Sequence, residues 1–304
     1  MNRIDATVVV SCYNQEKYIE DALQSILSQE TNFEFEIIVA DDCSLDKTAS
    51  IVCKLAESYP SRIQAILRSS NIGADKNYLD LHQRANGEVV FHFDGDDIML
   101  PGKLQEQYNL FQRFPNVNLV LHRAKYFSDD LEYVSETGWP FQPKEYEQIF
   151  SIEDLAHWGT IAVHGSYAYR KSSRKTYTMN RPFMEWFFAM ESLFSGSGMY
   201  LNKVLMEYRC NPSEKSYTST RLGRLKAFKI VFEDIKHYFD LYSNLKKHLY
   251  VCYLINFIST VKSCKHFEFS AFFFLIKHVQ YFDCRLLFNA IKIRIGVAPK
   301  ERIR

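Results

Sequence analysis

The sequence predicts an α/β protein, a mainly parallel twisted sheet flanked by helices, with a helical region at its C-terminal end. Two observations carry this. Through the first 125 residues, short β-branched apolar runs alternate with stretches of helical period, the pattern of parallel strands joined by right-handed crossovers. Beyond residue 221 every segment has helical period. Composition agrees: 304 residues, 47% apolar and 24% charged, are too apolar for disorder and long enough for one large α/β unit with an appendage. With 11 Gly and 8 Pro, collagen-like and low-complexity classes are excluded.

The elements follow in order. Residues 7–11 are a β-branched run, read as a buried strand. Residues 17–28 place Tyr18, Ala22 and Ile26 at helical spacing. Residues 36–40 form a second strand ending in Asp41 and Asp42, and Asp46 caps a helix reaching Ala56 because its carboxylate can accept first-turn N–H groups. A third strand at 63–67, a helix at 75–85 and a fourth strand at 89–93 lead into Asp94-Gly95-Asp96-Asp97. Pro101, tolerated in a first helical turn, opens a helix toward Phe114, and 117–121 is a fifth strand. From 125 to 209 the rhythm is irregular, with helices at 151–158 and around 185–194. Four helices are expected over 222–242, 245–261, 269–282 and 286–295. The expected division is an α/β domain over 1–220, with halves 1–125 and 126–220, and a helical tail over 221–304.

In open parallel sheets, ligands collect at the carboxyl ends of the strands. Three of these ends carry polar clusters, Ser11-Cys12-Tyr13-Asn14, Asp41-Asp42-Cys43-Ser44 and Asp94 to Asp97, which should converge on one crevice. Crowded carboxylates repel one another unless a cation neutralises them. Oxygen-only donors suit Mg²⁺ or Mn²⁺, ions that bridge to substrate phosphates. The plainer use of the acidic run, as a turn capping the helix near Pro101, is disfavoured by its place beside two other polar strand ends. No G-x-G-x-x-G follows the first strand and no G-x-x-x-x-G-K-[ST] occurs, so dinucleotide oxidoreductases and P-loop enzymes lose their signatures. The seven cysteines are scattered without a C-x-x-C pair, which argues against a disulfide framework or zinc site and for a reducing compartment. Cys12 and Cys43 have no base partner and read as small packed residues. Without a secretory h-region or a run of ~18 uncharged apolar residues, a cytoplasmic location is expected.

Taken together, Val8-Val9-Val10-Ser11-Cys12-Tyr13-Asn14-Gln15, Ile37-Ile38-Val39-Ala40-Asp41-Asp42-Cys43-Ser44, Asn71-Ile72-Gly73 and Phe93-Asp94-Gly95-Asp96-Asp97 resemble family 2 glycosyltransferases in residue type, order and spacing. Met184-Glu185-Trp186 is similar to that family's acidic-Trp segment, and 207–216 to its Tyr-Arg…Ser ending, so the resemblance covers about residues 5–220. It implies a GT-A fold, inversion at the anomeric carbon, a nucleotide-sugar donor (a UDP-sugar) and a divalent metal, Mn²⁺ or Mg²⁺. It also implies hexosyl or N-acetylhexosaminyl transfer to a glycan or lipid-linked glycan, in bacterial surface polysaccharide assembly such as lipopolysaccharide or capsule.

By position, the resemblance places Ser11, Tyr13 and Asn14 around the nucleotide, with Tyr13 beside the base. Asp42, together with Asp41, would accept from the uracil imide or a ribose hydroxyl, and Asn71, Gly73 and Asn77 would lie near the donor. Asp94 and Asp96 would approach ribose and sugar, and Asp96 or Asp97 would hold the metal, a choice left open. Glu185 aligns with the base that takes the acceptor proton. Many relatives have two adjacent acids where this chain has Met184, so Glu191 and Asp154 stand in reserve. His164 is assigned to acceptor or diphosphate contact or to hydrogen-bonded packing, Arg209 to the diphosphate or, preferably, to bracing the loop. His92 reads as core, and residues 217–220 as a flap or a linker. A nucleotidyltransferase would need a Gly-rich, Lys/Arg-bearing loop after the first strand, and a non-catalytic binding protein would have no need of every acid.

The charge is uneven. From residue 221 on, 16 Lys+Arg face 6 Asp+Glu, a surplus of ten, while the remaining 21 basic and 30 acidic residues leave the first 220 at minus nine. Basic helices rich in Phe, Tyr, Leu and Ile can lie on an anionic membrane surface. The same residues can pack on the catalytic half or across a homodimer interface. Nucleic acid is not an expected partner, since no recognition motif accompanies the charge.

Overall fold

The computed structural model describes residues 4–128, 131–136, 146–210 and 220–297, with the side chains of 131–136 and 293–297 left aside. The first half alternates β1 (Ala6–Cys12), α1 (Ile19–Leu27), β2 (Phe35–Asp41), α2 (Thr48–Ser58), β3 (Ile63–Leu67), α3 (Ala74–Arg84) and β4 (Val89–Asp94). It continues through β5 (Ile98–Met99), α4 (Lys103–Arg113), β6 (Val117–Ser128), β7 (Leu131–Glu136) and β8 (Glu147–Phe150). Then come α5 (Ile152–Trp158), β9 (Ala168–Arg170), α6 (Trp186–Leu193) and β10 (Ser197–Arg209). The tail is α7 (Arg221–Leu241), α8 (Lys246–Cys264), α9 (Phe269–Lys277) and α10 (Cys284–Val297).

The strands form one mixed sheet in the order β3-β2-β1-β4-β9-β6-β10-β5, with β7 beside β6 and β8 beside β10. The run β3-β2-β1-β4 is parallel. β9 enters antiparallel between β4 and β6, which ends the parallel run. Successive residues of a strand face opposite sides of a sheet, and the two cores obey this. Val8, Val10, Ile37, Val39, Phe91 and Phe93 pack with α1 and α4 on one side. Val9, Ile38, Val90, Leu119 and Leu121 pack on the other, with α3, α5 and α6. Ile235, Tyr238, Phe239, Leu249 and Tyr253 of α7 and α8 belong to this second core, so residues on both sides of position 220 share one interior.

Three expectations shift. Asp46 stands one residue before the cap position, Lys47, yet its carboxylate takes a first-turn N–H as expected: Oδ1 accepts from Thr48 N–H (2.9 Å), while Oδ2 accepts from Glu16 N–H (3.0 Å), tying the start of α2 to the loop after β1. α4 begins at Lys103, after Gly102 takes φ +84°, rather than at Pro101. The helix expected over 269–282 stops at Lys277, and a separate 3₁₀ turn follows at Val279–Tyr281.

Candidate active site

The parallel register brings the polar strand ends together: Ser11 pairs with Asp94 and Cys12 with Asp41. Ser11 Oγ donates to Asp94 Oδ1 (3.3 Å). Tyr13 is 45% exposed at this edge, an aromatic face open to a ligand. Asn14 adopts φ +52°, a left-handed conformation that Asn tolerates. Its N–H donates to Ser44 Oγ and its Oδ1 accepts from Leu45 N–H, both at 2.8 Å, so it joins the β1 and β2 loops.

The acids after β2 are occupied by their own loops. Asp41 is buried and accepts from the N–H (3.0 Å) and hydroxyl of Ser44, closing a turn around Cys43 at φ +62°. Asp42, also buried, accepts from Ile72 N–H at Oδ1 (2.8 Å) and Gly73 N–H at Oδ2 (2.9 Å), while Asn71 Nδ2 donates to its carbonyl (3.0 Å). It thereby clamps the loop that enters α3 through Gly73 at φ +87°. Asn77 is 2% exposed and fully used, accepting from Arg68 and donating to the Ala40 carbonyl (3.3 Å). Of the donor-side residues expected from sequence, Ser11, Tyr13, Asn14, Asn71, Gly73, Asp94 and Asp96 keep solvent access, whereas Asp41, Asp42 and Asn77 are buried and shape the loops around them.

The acidic turn lies against the end of β1: a Cβ on Gly95 would stand 2.5 Å from Gln15 Oε1 and 2.9 Å from Cys12 Cβ. Arg209, at the end of β10, braces it. Its Nε donates to the Asp96 carbonyl (2.8 Å), its N–H to Asp97 Oδ1 (2.9 Å), and its guanidinium stacks over Tyr18 and Phe127. Asp97 is 1% exposed, its Oδ2 is buried without a hydrogen-bond partner, and burial with the charges of Asp96 and Asp94 raises its carboxyl well above the usual range. Beneath it, burial lowers the Lys103 amine to about 7 against the pull of Asp97. Asp96 remains partly exposed at the tip.

Glu185 immediately precedes α6. Burial pushes its carboxyl up to about 7, with Asp94 adding repulsion and His92 opposing. His164 Nδ1 lies 3.7 Å from Glu185 Oε1, and the His164 ring stacks on His92 with centroids 3.7 Å apart. Burial holds His164 well below the usual histidine range, so it faces Glu185 as a neutral ring. The reserve acids are committed elsewhere: Glu191 accepts from Thr176 N–H and hydroxyl, and Asp154 forms a capping box with Ser151 on α5. The 211–219 part of the Tyr-Arg…Ser segment and of the 217–220 stretch lies outside the described residues.

Four contributors carry no signal in the sequence. His92, expected as core, is buried but polar in use: its Nε2 lies 3.2 Å from Asp94 Oδ1 and its Nδ1 3.1 Å from His82 Nε2. His82 Nδ1 is 2.7 Å from Tyr169 Oη, completing a buried chain behind Asp94. For Asp94, burial acts upward, but His92 and Ser11 outweigh it and hold the carboxyl below its ordinary value. The fourth is Asp234 of α7. It is 0% exposed, accepts from Met184 N–H (2.8 Å) and pairs with Arg181 on the segment leading to Glu185. Tyr238, one turn on, donates to the Phe187 carbonyl of α6 (2.7 Å).

Two groupings have the chemistry for a divalent cation. His92, Asp94 and His164 bring ligand atoms within 4.8 Å of one another, but both nitrogens of His92 already face hydrogen-bond partners. By donor type alone, the carboxylates of Asp94 and Asp96 suit a hard cation better. Asp97 is raised first by burial and then by the charges of Asp96 and Asp94, and a cation at the turn would offset that second contribution.

Residues 7–179 match the family model described as "Glycosyl transferase family 2". An uncharacterised protein of Mycobacterium tuberculosis is 30% identical over 204 residues, 67% of this chain and 58% of that protein, so the chain spans a little over half the relative's length. An uncharacterised glycosyltransferase of a Nostoc strain is 34% identical over 116 residues, 38% of this chain and 35% of its own. Among solved structures, Staphylococcus aureus TarS in complex with UDP-GlcNAc superposes with TM-score 0.66 at 19% identity, covering 96% of this chain and 88% of that one. The mannosyltransferase PcManGT of Pyrobaculum calidifontis, in complex with GDP-Man and Mn²⁺, superposes with TM-score 0.58 at 15% identity over 97% and 87% of the two chains. The sheet order, the converging strand ends and the family match over more than half its length agree: this chain belongs to glycosyltransferase family 2 and has the GT-A fold.

Proposed function

We propose that the protein is an inverting glycosyltransferase that moves a hexosyl or N-acetylhexosaminyl group from a nucleotide diphosphate, a UDP-sugar, to a hydroxyl of a glycan or lipid-linked glycan. The observation that carries this reading is the placement of Glu185: its Oε1 lies 3.7 Å from His164 Nδ1, and the His164 ring stacks on His92, whose Nε2 is 3.2 Å from Asp94 Oδ1 at the end of β4. Partial burial pushes the Glu185 carboxyl up to about 7. A general base works best with a pKa near the working pH. Tyr13 offers its ring to the base, while Ser11 and Asp94 face ribose and sugar. Asp42 serves the donor through the loop that it holds, presenting Asn71 and Gly73. Asp96, with Asp94, would hold Mn²⁺ or Mg²⁺, and the bound ion would offset charge on the departing diphosphate. Asp97 supports this tip from below.

In the reaction, the acceptor oxygen attacks the anomeric carbon from the side opposite the diphosphate. Its proton passes to a Glu185 oxygen, the new C–O bond forms, and the old one breaks with its electron pair leaving on the nucleoside diphosphate. His164, neutral beside Glu185, leaves that carboxylate free to accept. Bacterial surface polysaccharide assembly is the setting we assign.

The test is Glu185→Gln. Sugar transfer should fall by ~10²–10⁴-fold, the usual contribution of a general base, while calorimetric binding of the donor stays at the wild-type value. Unchanged transfer would remove Glu185 from the chemistry. Failure of the wild type to bind or hydrolyse any member of a UDP- and GDP-sugar panel in Mn²⁺ would overturn the assignment as a whole.

A further inference from the structure

α9 is apolar on both sides. Ala271 and Leu275 are buried, and Phe274 stacks on Tyr253 (4.3 Å) and meets Phe239 (5.1 Å). On its outer side, Phe269, Phe272, Phe273 and Ile276 are 68%, 37%, 64% and 55% exposed. Their i, i+3, i+4, i+7 spacing is the stripe that a helix normally turns inward. The stripe is continuous with its neighbours: Phe267 contacts Phe257, Phe269 and Phe272 with centroids 5.1–5.3 Å apart. α10 repeats the pattern. Leu286, Leu287 and Ala290 pack on Val251 and Ile255, while Phe288 and Ile291 point outward, 68% and 44% exposed. A soluble surface seldom carries so many large apolar side chains together unless something covers them.

The fully exposed charges of this stretch, residues 262–292, are of one sign. Lys262, Lys265, Lys277, Arg285 and Lys292 are exposed. The acids of the same stretch are already engaged: Glu268 faces Lys229 and His266, and Asp283 accepts from Arg285 N–H (2.9 Å) and Leu286 N–H (3.2 Å) at the start of α10. Two copies joined through this face would bring like charges together, whereas an anionic surface complements them. Among the described residues no helix is long and apolar enough to cross a membrane, so the stripe can lie in an interface but not span it.

We propose that the outer faces of α9 and α10 dock the protein on an anionic lipid bilayer, with Phe269, Phe272, Phe273, Ile276 and Phe288 entering the headgroup boundary and the lysines meeting lipid phosphates. The inference draws nothing from the donor chemistry. Full-length protein is mixed, without sugar nucleotide, with vesicles of phosphatidylcholine alone or of phosphatidylcholine with phosphatidylglycerol, then floated. Wild type should float with the anionic vesicles and be released by high salt. Phe269→Ser/Phe273→Ser, at exposed positions, should melt like wild type, keep its donor hydrolysis and lose about tenfold in vesicle partitioning. Absence of flotation by the wild type, or undiminished flotation by the double variant, overturns the proposal. So does a lipid-free wild-type dimer that the double variant converts to monomer, which would assign this face to a second copy.

Discussion

Asp234 stands on a tail helix, 49 residues after Glu185, the proposed base, and its removal is the most informative single perturbation of this site. In Asp234→Ala two donors lose their acceptor: the Met184 N–H at 2.8 Å and the Arg181 guanidinium. An unsatisfied backbone N–H costs ~1–3 kcal/mol. Breaking a fully buried ion pair costs ~3–5 kcal/mol, but the Arg181 side chain is 31% exposed and can turn to water, which removes much of that. A loss of about 2–4 kcal/mol is therefore expected, within the ~5–15 kcal/mol margin of a typical domain, so the variant remains folded. The kinetic effect is more specific. Met184 adjoins Glu185, and a misplacement of ~1 Å in a reacting group can cost ~10²-fold. The proposed donor contacts on β1 and β4 share no hydrogen bond with Asp234, whose partners are Met184 and Arg181, so kcat should fall by about 10- to 100-fold while the donor KM holds. Asp234→Asn, which keeps an acceptor for the Met184 N–H, should recover most of the rate. Urea unfolding and initial-rate kinetics on the same preparations decide the matter: a destabilised Asp234→Ala with wild-type kcat would refute the argument that the tail positions the base.

Three further outcomes are expected. Glu185 accepts a proton only when ionised, and burial raises its carboxyl to about 7, so kcat/KM should climb with pH and drop about tenfold per unit below that point; a flat profile down to acidic pH would exclude it as the base. Tyr13→Ala should weaken nucleotide binding by about 10- to 100-fold, since stacking of a base on an aromatic ring is worth ~1–3 kcal/mol, as titration calorimetry would show. Asp42→Ala should lower stability by ~1–3 kcal/mol through the orphaned Ile72 N–H, since Gly73 N–H keeps Asn71 Oδ1 at 3.1 Å, and weaken donor binding with it, whereas loss of binding at unchanged stability would mean that Asp42 touches the donor directly.

The sheet was legible because β-branched runs such as 7–11 and 36–40 have few other destinations, and the strand ends were legible because polar residues there need a reason. What each polar residue does was harder to read. Asp42 resembles a ligand-binding acid in sequence, yet its oxygens meet N–H groups 30 and 31 positions away. Asn77 likewise answers to Arg68 and Ala40. The His92, His82 and Tyr169 chain joins β4, α3 and β9, and its last link spans 87 positions, so no local pattern announces it. Phe269 to Lys277 showed its apolar content, but only packing tells which half of those rings is covered.

The shared interior across position 220 also limits how this protein can be re-engineered. α7 and α8 are its back wall rather than a detachable module, and the wall is bolted to the segment that carries Glu185 at Asp234 and Tyr238. A chimera that grafts a foreign C-terminal half at this junction would lose the Asp234 and Tyr238 hydrogen bonds that hold the Glu185 segment, even if both halves folded. Variants that probe the proposed nucleotide contacts are better made in the short loops after β1 and β2, where substitutions leave that wall intact.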